Sequence, residues 1–277
     1  MPITIPRFVI NFRHKCNMNC KYCYVPFVDQ EYGDIFLWKK IIDAIQDYNP
    51  SLITFGGGDP FIYPDFRELL LYCKNSFFDH VQIHVDTNGL GIIENDYNII
   101  DDCVNVIGFP LDGSKEIHSL IRNNLFHYNI VMRHLSMLQK SKSKSKINTV
   151  LNYLNIYDIQ NLISVINEYK VAVWYLYEYW HFAGINQDEP LPNKVDIDKQ
   201  IKLIKKQVGD KFIYSNVESR KDNYVFVSSI GCVYTIVNKN EYIEIGSIFE
   251  ENIHLKIDMY INDIEIQKRT FEKLILQ

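Results

Sequence analysis

The sequence feature that most constrains the fold is an alternation of short β-rich runs and longer helical patterns over the first two thirds of the chain. The β-rich runs are dominated by Val, Ile, Phe and Tyr, and are bounded by Gly, Asn, Asp or Pro, as is typical of strands. They predict six strands, at residues 7–12, 51–55, 81–85, 104–111, 146–151 and 171–180. Helical spacing of apolar residues predicts five helices between them, at residues 36–48, 65–75, 94–102, 128–140 and 158–170. Strands that alternate with helices form parallel sheets with right-handed crossovers.

Six such units are too few for a closed eight-stranded barrel. We therefore predict an α/β fold, a partial (β/α)6 barrel, over residues 1–182. Beyond Trp180 the alternation weakens, and the patterns predict one helix at residues 196–207 and a small β-hairpin between residues 224 and 245. We expect residues 183–277 to form a C-terminal extension of helix, hairpin and helical tail that covers the active-site side.

Length and composition fit one large globular domain, since 47% of the 277 residues are hydrophobic and 23% are charged. The net charge of -5 gives no electrostatic reason to expect a nucleic-acid partner. No apolar run reaches the roughly 18 residues that a membrane span needs. The N-terminus lacks the basic start and long apolar core of a signal peptide. These features predict a cytoplasmic protein that does not engage a membrane.

Three cysteines, Cys16, Cys20 and Cys23, follow the first predicted strand with the spacing C-x3-C-x2-C. In parallel α/β folds, chemistry collects on loops at the C-terminal ends of strands, and this loop lies there. The other three cysteines are scattered along the chain, which is typical of a reduced protein with a metal site and not of a disulfide framework.

The metal itself stays open at this point. Thiolates select zinc, copper(I) or iron–sulfur clusters. A structural zinc site needs four ligands, and His14 is close enough in sequence to be the fourth. Three cysteines alone would instead leave one iron of a cubane [4Fe–4S] cluster open to a ligand from outside the protein.

With Tyr22 before the last cysteine, the loop resembles the signature of the radical SAM superfamily. Gly57, Gly58, Asp59 and Pro60, just past the second predicted strand, resemble the family's Gly-Gly-Glu-Pro motif, which holds the methionine amino group of S-adenosylmethionine. Glycines permit close backbone approach, and a carboxylate accepts hydrogen bonds from an ammonium. The aspartate is one methylene shorter than the usual glutamate.

Three further segments match the family in the expected order, so that the resemblance covers about residues 7–182. Asn88 lies in a segment similar to the polar ribose-side motif. Asp112 and Ser114, followed by Arg122, resemble the segment whose arginine pairs with the methionine carboxylate. Asn148, on the fifth predicted strand, lies in a stretch that flanks the adenosine in the family.

The resemblance implies a mechanism. Cys16, Cys20 and Cys23 would hold a [4Fe–4S] cluster, with S-adenosylmethionine chelating the open iron. An external one-electron reductant such as flavodoxin or ferredoxin would drive reductive cleavage, and the resulting 5′-deoxyadenosyl radical would abstract hydrogen from the substrate. No side chain need act as an acid or base in that step, because the cofactor carries the chemistry.

The substrate class stays open. The later strands are laid out like those of viperin-like and molybdenum-cofactor-type members, which act on nucleotides, so a small molecule or nucleotide is one reading. A single-cluster enzyme that modifies a ribosomal peptide is the alternative, and no second cluster motif points to the multi-cluster peptide-maturing branch. A non-catalytic metal-binding module that uses His14 is the alternative from a different class.

Three other features carry hypotheses. Alternation over residues 171–180 separates Glu178 from Tyr177, and we hypothesise that Glu178 faces the lumen and contacts a polar substrate, with Tyr177 as a second candidate. Cys232 is a candidate hydrogen-atom donor to a substrate radical. The Lys-Ser run at 140–146 is predicted to be a solvated turn on the opposite rim.

Overall fold

The computed structural model describes residues 5, 7–25, 27–30, 32–77, 80–181, 189–220, 224–237 and 241–261. Within these ranges the chain forms ten strands and eight α-helices. The strands are β1 Arg7–Phe12, β2 Leu52–Gly57, β3 Gln82–Asp86, β4 Val106–Pro110, β5 Lys144–Leu151, β6 Val173–Glu178, β7 Phe212–Ser215, β8 Val225–Ser228, β9 Cys232–Ile236 and β10 Tyr242–Ser247. The helices are α1 Ile35–Gln46, α2 Phe66–Phe77, α3 Asp96–Cys103, α4 Lys115–Arg122, α5 His127–Leu138, α6 Leu162–Glu168, α7 Lys194–Val208 and α8 Ile253–Tyr260.

All ten strands belong to one sheet in the order β10-β9-β8-β1-β2-β3-β4-β5-β6-β7. The eight strands from β8 to β7 are parallel to their neighbours, and β9 and β10 add antiparallel pairs at one edge. The sheet is not closed, so the predicted partial barrel is confirmed. The C-terminal part of the chain contributes β7 to β10 to this same sheet, and β8 pairs directly with β1.

The two faces of the sheet differ because side chains alternate along each strand. Phe8, Ile10 and Phe12 of β1 are buried in the main core, together with the apolar stripe of α1 that contains Ile41 and Ile45. Full burial of each such side chain contributes about 1.5–3 kcal/mol. The side chains at the alternate positions of the parallel strands point to the other surface of the sheet and include polar residues. We call this surface the inner face, and it forms the site.

Strand β6 shows which phase faces inward. Trp174 and Leu176 are buried in the main core with the helices. Tyr175 and Tyr177 stack on each other on the other face, with ring centroids 5.3 Å apart. The tyrosine phase of β6 is therefore the inner one, but Glu178 at the end of the strand still borders the cavity, so its contact with a substrate stays a prediction.

The Lys-Ser run is a solvated turn only in its first part. Lys144 begins β5, and Ser143, Ser145 and Lys146 are buried. The Lys146 Nζ lies 2.7 Å from a carboxylate oxygen of Asp86 on β3, which neutralises the buried charge. The prediction is thus wrong for Ser143, Ser145 and Lys146. Contacts far away in sequence hold two of them in the interior, since Lys146 pairs with Asp86 and the Ser143 hydroxyl donates to the Val104 carbonyl at 2.7 Å.

None of the helices in the described parts of the chain is long and apolar enough to cross a membrane.

Candidate active site

Two glycines let the end of β2 lie against the start of the cysteine loop, which we define as residues 13–24. A Cβ at Gly58 would stand 2.0 Å from the Lys15 carbonyl oxygen, and one at Gly57 would stand 2.5 Å from the Phe12 nitrogen. The Gly58 N–H donates to the Phe12 carbonyl at 2.8 Å. Gly57 also has a φ of +94°, a conformation that favours glycine. Neither position accepts a larger residue without moving the loop.

The three thiols of the loop line one cavity inside the barrel, together with Asn88 and Arg122. The Asn88 Nδ2 lies 3.6 Å from the Cys16 Sγ, and the Arg122 Nη1 lies 3.8 Å from the Cys20 Sγ. Burial, with the neighbouring carboxylate and thiols, raises the pKa of Cys16 to about 11, and burial also raises the pKa of Cys23. Because bound metal ionises coordinating thiols, N–H donors aimed at sulfur suit thiolates that ligate one.

These residues fit an iron–sulfur cluster better than a zinc ion. Zinc draws its ligands to about 2.0–2.3 Å from one point, whereas a cluster spreads its cysteines over several irons. Within the described ranges, no three His, Cys, Asp or Glu side chains are arranged to hold a single metal ion. The ring of His14 packs edge-on against Tyr32. The zinc alternative with His14 as the fourth ligand therefore finds no support in this geometry.

Asp59 is fully buried behind the glycine motif. Its carboxylate accepts hydrogen bonds from the Thr87 hydroxyl at 2.9 Å, the Asn88 N–H at 2.6 Å and the Phe61 N–H at 3.0 Å. Burial raises its pKa to about 6, although these bonds favour the ionised form. Asp59 does not line the cavity, and neither does Pro60, which begins a short 3-10 turn. The Asp59 carboxylate was expected to contact the methionine amino group. In the structure it instead forms hydrogen bonds that connect the loop after β2 with the loop after β3.

Asp112 is fully buried and binds Arg122 through two hydrogen bonds, Nε to Oδ2 at 2.5 Å and Nη2 to Oδ1 at 3.1 Å. The Val150 N–H donates to the same carboxylate at 3.0 Å. Burial alone would raise the pKa of Asp112, but the guanidinium outweighs it and the pKa is lowered. Arg122 borders the cavity, whereas Ser114 does not, and the Ser114 N–H donates to Asp158 at 2.5 Å.

Two buried histidines join these loops, although no sequence motif singles them out. The Asp112 N–H donates to the Nδ1 of His118 at 3.1 Å. The Nε2–H of His118 can then donate to the Nδ1 of His127 at 2.8 Å, and the Nε2–H of His127 to the Asn88 carbonyl at 2.8 Å. Burial lowers the pKa of His118 to about 3 and that of His127 to about 4, which keeps both rings neutral.

The candidate site residues on the later strands differ in whether their polar groups already have partners within the protein. Asn148 lines the cavity and donates to Asp86 at 2.8 Å, while its Oδ1 is buried with no hydrogen-bond partner. Tyr177 lines the cavity from the inner face. Glu178 borders it at the end of β6, but its carboxylate accepts a hydrogen bond from the Tyr214 hydroxyl on β7 at 2.6 Å.

Tyr22 also lines the cavity and packs edge-on against Tyr179, with ring centroids 4.6 Å apart. Cys232 is not among the described residues that line the cavity. The hypothesis that it donates a hydrogen atom to a substrate there therefore finds no support.

The cavity has a volume of about 270 Å³ and extends from the cysteine loop to Arg7 at the start of β1. Six strand residues span about 17 Å. Ligand sites in proteins typically begin near 300 Å³, so the space suits small ligands. The mixture of aromatic walls and a few convergent polar groups is typical of such sites.

Four charged residues lie on the inner face although no sequence motif marks them: Arg7, Asp86, Lys146 and Arg220. All except Lys146 line the cavity. The sequence could have indicated Lys146. It lies two positions before Asn148 on the same strand, so both side chains point to the same face of the sheet.

A model of the radical SAM superfamily matches residues 10–166, more than half of the chain. The chain is 25% identical over 170 residues to Fe-coproporphyrin III synthase of Methanosarcina barkeri, covering 60% of this chain and 42% of that protein. It is 24% identical over 276 residues to an S-adenosylmethionine-dependent nucleotide dehydratase of Selenomonas ruminantium, covering 91% of this chain and 93% of that protein.

Among solved structures, the fold is similar to that of Streptococcus suis SuiB bound to S-adenosylmethionine, with a TM-score of 0.75 at 13% identity over 98% of this chain and 68% of SuiB. It is also similar to anSMEcpe with bound AdoMet, with a TM-score of 0.69 at 16% identity over 97% of this chain and 83% of that one. Enzymes of this superfamily use a [4Fe–4S] cluster and S-adenosylmethionine. With more than half of its length matched by the family model, the chain belongs to the radical SAM superfamily.

Proposed function

We propose that this enzyme cleaves S-adenosylmethionine reductively at a [4Fe–4S] cluster held by Cys16, Cys20 and Cys23, and that the 5′-deoxyadenosyl radical takes a hydrogen atom from a small-molecule or nucleotide substrate. The observation that carries the proposal is the shared cavity. It joins the three thiols at one end to polar and aromatic side chains of the inner face at the other. A cofactor bound at the cysteines would therefore face the inner-face side chains that we assign to the substrate.

The chain's own residues bind and orient in this proposal. The backbone of Gly57 and Gly58 lies at the cavity wall and offers close approach to the methionine end of the cofactor. Arg122, already oriented by Asp112, directs its Nη1 toward the Cys20 sulfur, where it would also bind the carboxylate of the cofactor. Asn88 and Tyr22 line the same end. An external reductant, such as flavodoxin or ferredoxin, would supply the electron.

For the substrate, a nucleotide has the stronger support. The match to the nucleotide dehydratase extends over nearly the whole of both chains, so it includes the strands that form the substrate side of the cavity. Likeness to SuiB, which has been solved with a precursor peptide, rests on 13% identity and supports the fold alone. A peptide substrate is therefore the second candidate.

The test is anaerobic reconstitution followed by quantification of iron, sulfide and 5′-deoxyadenosine. We expect about four irons and four sulfides per chain and release of 5′-deoxyadenosine after reduction. Release is then compared across a panel of nucleotides and across peptide and metabolite fractions. Stimulation by a nucleotide supports the favoured substrate class, and stimulation by peptides alone supports the second candidate.

Cys16→Ala and Cys232→Ala form the matched pair of variants. The first removes a thiol that lines the cavity, and the second removes one that does not. We expect Cys16→Ala to lose the cluster and the cleavage, while Cys232→Ala keeps both. Stoichiometric zinc with no cleavage in the wild type would overturn the proposed function.

A further inference from the structure

The inner face holds a guanidinium that forms no ion pair with the described residues. Arg7 lines the cavity at the start of β1, and its Nε is buried without a hydrogen-bond partner. Its one close contact of a polar kind is with the ring of Tyr224, whose centroid lies 5.0 Å from the guanidinium carbon. The described residues give it no carboxylate partner within ion-pair distance. A buried charge without a partner is costly, so such a group usually awaits an anion.

The nearest carboxylate is already used. Asp86 binds the Lys146 ammonium at 2.7 Å and accepts from the Asn148 amide at 2.8 Å. Gly108 makes this arrangement possible, since a Cβ there would stand 2.1 Å from the Asp86 carboxylate. One carboxylate is therefore shared between a lysine and an amide, and it attracts Arg7 only from beyond ion-pair distance.

A second guanidinium, that of Arg220, lines the same cavity. Arg220 donates to the carbonyl oxygens of Asn216, at 3.2 Å, and of Glu178, and it stacks over Trp180 at 4.2 Å. The Glu178 carboxylate also attracts this cation, although it already accepts a hydrogen bond from the Tyr214 hydroxyl. The guanidinium carbon of Arg7 lies 5.0 Å from the ring centroid of Tyr224, that of Arg220 lies 5.8 Å from the ring centroid of Tyr177, and both rings line the cavity.

The remaining polar atoms there add specificity. The Tyr175 hydroxyl is buried without a partner, and the Asn148 Oδ1 is a buried acceptor without a donor. Native proteins leave few such atoms unsatisfied, and each calls for an explanation such as a missing ligand. A ligand that carries an anionic group for the guanidinium and a hydroxyl or amino donor for Asn148 would satisfy this set.

We propose that Arg7, at the start of β1 and so at the end of the cavity away from the cysteine loop, binds an oxyanion of the substrate, a phosphate or a carboxylate, and that Arg220 adds a second positive charge to the same cavity. This deepens the proposed function and rests on it, because it assigns the anchoring group of the substrate that lies beside the cofactor. Tyr177 and Tyr224 form aromatic walls between the anchor and the reacting carbon. Anchoring at a guanidinium fixes the distance between the substrate and the cysteine loop.

The test measures binding to the reconstituted holoenzyme by anaerobic titration calorimetry, with S-adenosylmethionine present. The probes are cytidine triphosphate, cytidine, inorganic tripolyphosphate and glutarate, so that phosphate, carboxylate and uncharged ligands are compared. Arg7→Met and the conservative Arg7→Lys are measured beside Arg133→Gln, an exposed control on α5. Arg220→Gln is a second variant that tests the site independently of the folding of Arg7→Met.

We expect at least one anionic probe to bind more tightly than cytidine, and Arg7→Met to weaken that probe by about 10- to 100-fold, as loss of a charge-assisted hydrogen bond does. Arg7→Lys should recover part of the affinity, and Arg220→Gln should lose less than Arg7→Met. Preference for tripolyphosphate or for glutarate identifies the oxyanion.

Equal affinity of Arg7→Met and wild type for every probe, or no preference of the wild type for an anion, would overturn the assignment. Cluster content and 5′-deoxyadenosine release without substrate are recorded for each variant, and we expect both to be unchanged in the exposed control Arg133→Gln. These two readouts report on the proposed function, and the probe affinities report on the anchor, so failure of one is distinguishable from failure of the other.

Discussion

The two ends of the cavity differ in how their polar groups are satisfied. At the cofactor end, Asp59 accepts three hydrogen bonds, and Asp112 is held by Arg122 and by a backbone N–H. At the substrate end, the Nε of Arg7 and the hydroxyl of Tyr175 are buried without partners. The carboxylates of the first end are satisfied before any ligand arrives, although the Tyr22 hydroxyl there is buried without a partner, whereas the buried guanidinium nitrogen of the second end lacks an acceptor that a ligand would bring.

The difference fits what each end must do. The cofactor end must present the same geometry in every turnover, and mutually bonded side chains provide this preorganisation. The substrate end must release its ligand. Its unpaired donors contribute to affinity only when a ligand with a matching acceptor is bound. Stability measurements can therefore separate the two ends: substitutions should be costly where groups are paired and neutral where they are not.

The largest effect is expected at the paired end. Arg122→Met leaves the buried Asp112 without its cation, which should cost about 3–5 kcal/mol in the free energy of unfolding. Urea denaturation measures it, with Arg133→Met as an exposed control. Adding Asp112→Asn to Arg122→Met should recover part of the loss, because the uncompensated charge disappears. A loss no greater than that of the control would break the contrast.

The histidine pair should give a pH-dependent effect. His118 and His127 have pKa values of about 3 and 4 in the folded protein, below the ordinary value of 6.5. Only the unfolded chain takes up protons between these values, so their contribution is fully present above pH 6.5 and is lost as the pH falls toward 4. Removing His127 should reduce the pH dependence of the unfolding free energy between pH 7.5 and 5.5 by about 1 kcal/mol.

The measurement compares urea denaturation of His127→Gln with that of His80→Gln, an exposed histidine, at both pH values. His80→Gln should keep the pH dependence of the wild type. Identical pH dependence in all three proteins would show that the imidazole of His127 titrates normally in the fold.

At the unpaired end, Arg7→Met should change the free energy of unfolding by no more than about 1 kcal/mol, since Arg7 forms no ion pair with the described residues and Asp86 attracts it only from a longer distance. Denaturation without any ligand is the measurement. A loss as large as that of Arg122→Met would mean that Arg7 is paired in solution, and the contrast between the two ends would fail.

The smallest effect is expected at Glu178. Its carboxylate already accepts from the Tyr214 hydroxyl, and a glutamine oxygen can accept the same bond. Glu178→Gln should therefore change turnover of the identified substrate by less than about twofold. A much larger loss at unchanged stability would restore the hypothesis that Glu178 contacts the substrate, whereas Tyr214→Phe controls for loss of the hydrogen bond alone.

Sequence patterns predict the first six strands within a few residues, because helices cover the outer face and enforce strong apolar periodicity there. They miss β7, a four-residue strand directly after a helix, which is too short to show a pattern. They also predict that β8 belongs to an appendage, since nothing local records that its partner is β1. Pairing between strands that are distant in the sequence is a tertiary property, and a short stretch of sequence does not show it.

The site shows the same division. The cysteines and glycines are recognisable because their chemistry and backbone demands are local, and the structure brings them together at one cavity. Lys146 is hidden in a charged run that is typical of solvated turns, and its burial depends on Asp86, which lies far away in sequence. The roles of Asp59 and Arg7 depend likewise on which neighbours the fold places beside them.

The pairing of β1 with β8 also has a consequence for biosynthesis. Phe8 pairs with Val225, so one edge of β1 stays unpaired until the chain is synthesised past β8. At about 5–20 residues per second, that interval lasts roughly 10–40 s. During it, the nascent chain exposes an open strand edge next to the thiols, and such edges favour aggregation. Because contacts so distant in sequence also form slowly, the rate at which functional protein accumulates in cells should depend on chaperones that protect this edge.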